Sequence, residues 1–202
     1  QRYAAAVTHE LTEHALIPGL VNAHTHAAMT LLRGLADDLR LDVWLYGYML
    51  PVEARFVNPE FSRLGALLSC AEFIRGGVTT FVDMYYFENE VAWAAVEAGL
   101  RGVCGQTLMK VPTPDATSYD ESLAFCEDFV AQWHGHELIT AVPAPHSAYM
   151  CTVEILRETV RLVGKYDVPL QIHIAEGKPV GIRQEESRLN GHAIECRLTA
   201  ED

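Results

Sequence analysis

The sequence predicts an α/β fold, with five parallel strands alternating with helices as in the first part of a (β/α)8 barrel, followed by a hairpin-like C-terminal tail. Three observations predict it. Short β-branched and apolar runs alternate with stretches of helical period. Gly and Pro mark the changeovers. Histidines recur where those strands would end, which is where parallel-sheet enzymes assemble their sites. A closed barrel of this kind takes about 250 residues, so five strands in 202 residues amount to part of one.

The first 17 residues carry no clear period and read as the remnant of a small N-terminal domain, with His9 and His14 solvated. The first strand is the apolar run that opens at Pro18-Gly19-Leu20-Val21 and delivers His24 and His26. A helical stretch over 28–35 follows, then 41–50 with Trp44, Tyr46 and Tyr48. Asn58 is placed to cap a longer helix with Pro59 in its first turn, and Leu64, Leu67, Leu68, Ala71 and Ile74 give that helix an apolar stripe expected to be buried. Gly76-Gly77 stops it, and 78–83 reads as a buried strand. The unit then repeats as helix 90–98, strand 101–108, helix 119–133, strand 138–144, helix 152–166 and strand 168–175.

Composition narrows the class of function. Half the residues are hydrophobic and the formal charge is −12, so nucleic acid and anionic membrane are poor partners and a small molecule is the better one. Cys70, Cys104, Cys126, Cys151 and Cys196 are scattered without Cys-x-x-Cys spacing, which suggests a reducing, cytoplasmic setting. No apolar run approaches the roughly 20 residues of a membrane helix. Nothing at this level fixes oligomeric state, and a homo-oligomer stays open.

The polar residues collect at one end of the expected sheet. Alternation along a strand puts His24 and His26 on the same side, close enough to share a cation. His146 follows the fourth strand, and His173 with Glu176 close the fifth. Such a cluster suits Zn2+ or another divalent transition metal, whose bound water reaches a pKa of about 7, with Glu176 as general acid/base. His134 and His136 share the His-x-His spacing but precede a strand, which puts them at the opposite end and at the surface.

The motifs Pro18-Gly19-Leu20-Val21-Asn22-Ala23-His24-Thr25-His26, Trp44-Leu45, Leu50-Pro51-Val52-Glu53, Gly77-Val78-Thr79-Thr80-Phe81-Val82-Asp83-Met84-Tyr85, Ala144-Pro145-His146-Ser147 and His173-Ile174-Ala175-Glu176 occur in order. Over about residues 16–176 the chain resembles the amidohydrolase superfamily, in particular its S-adenosylhomocysteine/5′-methylthioadenosine deaminase and chlorohydrolase branch. The resemblance implies a TIM barrel with metal ligands His24, His26 and His173 and a proton shuttle at Glu176. It also implies a substrate site with Glu53 at ribose-type hydroxyls and His146 and Trp44 alongside. The reaction implied is hydrolytic deamination, or dechlorination, of an adenosine-like or other N-heterocyclic molecule by zinc-activated water. Residues 106–112 occupy the region where some adenosine-type deaminases carry an arginine, which leaves a triazine-like substrate open. Two further family ligands, a histidine after the sixth strand and an aspartate after the eighth, have no positions in this chain.

After Glu176 the barrel pattern stops. Gly177, Pro179 and Gly181 oppose a helix, and Asn190-Gly191 between 182–189 and 192–198 is a hairpin signal. Residues 177–202, with Gly191-His192-Ala193-Ile194-Glu195-Cys196-Arg197, resemble the biotin carboxylases. The expected organisation is therefore 1–17, a partial barrel over 18–176 and a foreign tail over 177–202. A non-catalytic chimeric fragment and a piece of an ATP-dependent biotin carboxylase are the alternative readings.

Overall fold

The computed structural model describes residues 6–174. Among them four strands, β1 (Leu20–Thr25), β2 (Val78–Tyr85), β3 (Arg101–Leu108) and β4 (Ile139–Pro145), form one sheet. They lie side by side in chain order, and every pairing is parallel. This is the α/β partial barrel that the alternation predicts.

Helices return the chain between strands: α1 (Leu41–Trp44), α2 (Leu50–Phe56) and α3 (Pro59–Arg75) after β1, α4 (Glu88–Ala98) after β2, α5 (Tyr119–Trp133) after β3 and α6 (Val153–Tyr166) after β4. Their starts are written in the sequence. Asn58, Ser118 and Thr152 accept from the backbone N–H of Phe61, Glu121 and Ile155, so each long helix but α4 opens on a side-chain cap. Glu121 in turn accepts from the Thr117 N–H at 2.7 Å. The main core lies between sheet and helices around Phe81, Val91, Cys104, Phe129, Val130 and Leu162. A smaller cluster of Ala28, Val57, Tyr85, Tyr86, Met109 and Met150 sits where the strands end.

Several elements differ from expectation. The stretch after His26 is a 3-10 helix over Ala27–Leu32 rather than an α-helix over 28–35. Residues 41–56 run as one helical passage whose centre, Leu45–Met49, has the wide π spacing. Pro51 explains the position of that widening: it cannot donate an N–H, and its ring would crowd the carbonyl four residues back in a regular helix. The expected apolar stripe of α3 is not its buried face. Leu64, Leu68 and Ile74 are exposed, while Ser62, Gly65, Ala66, Ser69 and Cys70 are buried. The buried side must be small because α3 approaches a backbone: a Cβ on Gly65 would stand 2.4 Å from the Ala28 carbonyl oxygen.

Among the described residues the fifth strand is represented by bridge residues Leu170 and His173, the latter parallel to Ser147, with Gln171 N–H donating to Pro143 O (3.3 Å) and His173 N–H to His146 O (3.0 Å). Pro169 removes a donor from this ladder. The hairpin-like tail over 177–202 and the first five residues lie outside the described residues.

Candidate metal and substrate site

The site is built at the C-terminal end of the sheet. β1 pairs in parallel with β2, but its register shifts between Leu20 and Val21 and again between Asn22 and Thr25, so the strand is irregular just where His24 projects. At the far edge, the segment bridged to β4 supplies His173, which is fully buried. The sheet curls enough to bring its two edges together: the ring of His173 lies 5.3 Å from that of His24 and 5.4 Å from that of His26, which are 5.0 Å from each other.

One ring nitrogen from each of these three histidines lies within 4.8 Å of the others. Backbone carbonyls set the tautomers of two of them. His26 Nδ1 is 2.6 Å from Met84 O, and His173 Nδ1 is 3.0 Å from His146 O. A carbonyl can only accept, so Nδ1 donates in both rings and Nε2 is the nitrogen left to face a metal. This is how histidines that bind metals are usually held. Three imidazoles converging in a half-buried corner are a donor set suited to a divalent transition metal, and the residues present fit one.

Beside this corner lies a cleft lined by His26, Met29, Trp44, Leu45, Met49, Leu50, Glu53, Tyr85, Tyr86, Thr107 and His146. Its walls are apolar and aromatic, with a few polar groups facing in, which is the ordinary make-up of a small-molecule site. The helical passage through residues 41–56 supplies one wall, and its π widening is what brings Trp44, Leu45, Met49 and Glu53 to the same cleft. Glu53 is buried and accepts from the Tyr85 hydroxyl at 2.9 Å. Burial pushes its carboxyl above the usual range, while hydrogen bonds from the Tyr85 and Tyr86 hydroxyls pull it back. Burial likewise raises both tyrosines, so their hydroxyls stay protonated donors.

The expected residues therefore gather in two adjoining places: His24, His26 and His173 in the corner, and Trp44, Glu53 and His146 around the cleft. Glu176 lies outside the described residues. His134 and His136 are exposed and precede β4, at the other end of the sheet, as their spacing relative to that strand implies. Sequence reasoning passed over Tyr85, Tyr86, Met29, Met49 and Thr107 as lining residues. The signal for the tyrosines was available, since a strand that carries histidine-binding carbonyls near its C-terminal end also points its last residues at the site. Gln106, where an arginine was sought, is wholly buried and structural: it accepts from Glu88 N–H at 3.3 Å and donates to Asp115 at 2.7 Å.

Comparison with known proteins adds to this geometry. Residues 15–195 match the model of the Amidohydrolase family. A 5-methylthioadenosine/S-adenosylhomocysteine deaminase of Syntrophus aciditrophicus is 44% identical over 185 residues, covering 91% of this chain and 42% of that protein. A 5′-deoxyadenosine deaminase of Methanothermobacter thermautotrophicus is 43% identical, covering 82% of this chain and 38% of that protein. Among solved structures, an adenosine deaminase from Xanthomonas campestris with bound zinc superposes with a TM-score of 0.75 at 40% identity, covering 77% of this chain and 36% of that one. A zinc-complexed atrazine chlorohydrolase from Arthrobacter aurescens, 22% identical with a TM-score of 0.69 over 77% of this chain and 40% of that one, shares the fold. The chain thus spans about two fifths of the length of the curated relatives it matches. The family match runs past Glu176, beyond the joint expected there, and these comparisons give no support to the likeness of residues 177–202 to biotin carboxylases.

Proposed function

This chain belongs to the amidohydrolase family, and from that premise we propose that it carries the metal-binding and substrate-binding half of a hydrolase that deaminates an adenosine-like nucleoside. The observation that carries the reading is the convergence of three imidazoles, from opposite edges of the sheet, beside a cleft that holds a buried carboxyl.

His24, His26 and His173 would hold the metal, taken as Zn2+ because the zinc-bound adenosine deaminase shares both fold and 40% of aligned residues. Bound there, the ion makes hydroxide available from water at neutral pH. The chain's own residues supply the rest. Glu53 accepts hydrogen bonds from ribose-type hydroxyls, with Tyr85 and Tyr86 holding its carboxyl in place. Trp44, Met29 and Met49 cover the faces of a planar heterocycle and keep bulk water out. His146, its backbone N–H pinned to Leu108 O at 3.0 Å, lines the cleft and meets a ring substituent. Glu176, three residues beyond His173, takes one proton of the attacking water to the ring nitrogen and then the other to the departing amine. The amine leaves as ammonia, and the ring carbon keeps the oxygen.

The test is ammonia release from adenosine, 5′-methylthioadenosine and 5′-deoxyadenosine by the full chain loaded with zinc, with chloride release from a chlorotriazine in parallel. The expected result is zinc bound at one per chain and ammonia formed from at least one nucleoside. Chloride without ammonia would move the assignment to dechlorination, and zinc bound with neither product would leave a metal-binding but inactive chain.

A further inference from the structure

Asp83 has no part in the reaction just described, yet it is wholly buried at the C-terminal end of β2. Its Oδ1 takes two short hydrogen bonds from either side of His26: the Thr25 hydroxyl at 2.5 Å and the Ala27 N–H at 2.6 Å. Ser69 on α3 donates to the Ala27 carbonyl at 2.8 Å. The next residue along β2, Met84, holds the imidazole of His26 through its carbonyl. Both the backbone flanking His26 and its ring are thereby tied to two consecutive residues of one strand.

Behind Asp83 stands Glu88, the first residue of α4, also wholly buried. Oδ2 of Asp83 and both carboxyl oxygens of Glu88 receive no hydrogen bond of ordinary geometry. The two carboxyls adjoin each other and the Cys104 thiol. Two buried carboxylates so placed cannot both ionise, and a proton between them satisfies Oδ2. Burial raises Asp83 too, but the Ala27 N–H and the Thr25 hydroxyl, which Asp83 shares with Val82 O, offset this and favour the anion there. Glu88, with burial and the neighbouring Asp83 charge both raising its pKa, is the acid.

We propose that Asp83 is a positioning residue for His26, clamping the backbone on both sides of that ligand, with Glu88 as the hydrogen-bond donor that holds Asp83 in turn. What His26 is positioned for rests on the metal reading above; that it is positioned by Asp83 does not. Partners of this kind, one step removed from a metal, typically change metal affinity by about 10–100-fold when removed.

The experiment measures zinc affinity of the full chain by competition with a chromophoric chelator, and the nitrogen resonances of His26 by NMR in the metal-free chain. Asp83→Ala should weaken zinc binding ~10–100-fold and shift the His26 resonances away from a single Nδ1–H tautomer. Asp83→Asn, whose carbonyl oxygen can still accept from Thr25 and Ala27, should restore both readouts to near wild type. Glu88→Gln, which keeps a donor toward Asp83, should also match wild type, and a loss as large as that of Asp83→Ala would refute the part given to Glu88. Should Asp83→Ala fail to fold, Thr25→Val removes one arm of the clamp at nearly constant volume, and a smaller fall in affinity with shifted His26 resonances is expected. Wild-type affinity together with unchanged His26 resonances in whichever of these two variants folds would overturn the proposal. A wild-type chain that binds no zinc would instead sink the metal reading, leaving the NMR comparison to decide the clamp.

Discussion

Glu53 answers two opposed demands. As an acceptor for substrate hydroxyls it must be ionised, but burial favours its neutral form, and only the hydroxyls of Tyr85 and Tyr86 offset that cost. A carboxyl whose folded pKa lies above its unfolded value contributes stability at low pH and loses it as pH rises through the folded pKa. Glu53→Gln is therefore expected to gain thermal stability over wild type progressively as pH rises above about 4.5, read as a widening Tm difference. The same substitution should raise KM for ribose-bearing substrates at neutral pH. In wild type KM should fall as pH climbs through the raised pKa, and that dependence should vanish in the variant. A Tm difference that does not change with pH would show that Glu53 has no burial penalty. The site histidines were legible because strand alternation and strand-end position are local properties of the sequence. The role of Asp83 was not, and for Tyr85 only its strand-end position was, because the residues that give them their partners, Thr25, Ala27 and Glu53, lie more than 30 positions away along the chain.

At the level of elements, α3 shows how a period can be read correctly and assigned to the wrong face. Its leucines do recur at helical spacing, but the adjoining face is made of Ser62, Gly65, Ala66, Ser69 and Cys70, and small residues allow a closer approach than leucines do. Burial follows that approach: Gly65 passes the Ala28 backbone, and Ser69 bonds Ala27, within three residues of His26. Gly65→Ala would place a methyl against carbonyl and Cα atoms that cannot rotate away, at a cost of about 1–3 kcal/mol. The expected outcome is a Tm lower by several degrees and a weaker zinc affinity, because the displaced segment carries the His26 arm. An unchanged zinc affinity alongside the lower Tm would show that α3 supports the fold but not the ligand. The π widening at Leu45–Met49 was equally hidden. Pro51 signals a disturbance, and only the continued helix on both sides turns that disturbance into a bulge rather than an end.

For the molecule as a whole, the order of strands and helices was legible because each βαβ unit announces itself through local pattern and right-handed crossing leaves few ways to assemble them. How tightly the sheet curls was not legible, since curvature is summed over every pairing. Yet curvature is what makes the site: β1 lies at one edge of the four strands and the His173 segment beyond the other, and their rings meet across the opening. A metal held by His24, His26 and His173 is then a staple between the two edges, and it acts on the folded state alone. Zinc at about 100 times its Kd should add ~2.7 kcal/mol, which for a chain of this size is a Tm rise of about 5–10 °C, reversed by a chelator. His173→Ala should abolish most of that rise by freeing one edge, whereas His136→Ala, at the opposite end of the sheet, should leave it intact. If zinc raised the Tm of His173→Ala as much as that of wild type, the metal would be bound by β1 alone, and the closure of the sheet would owe nothing to it.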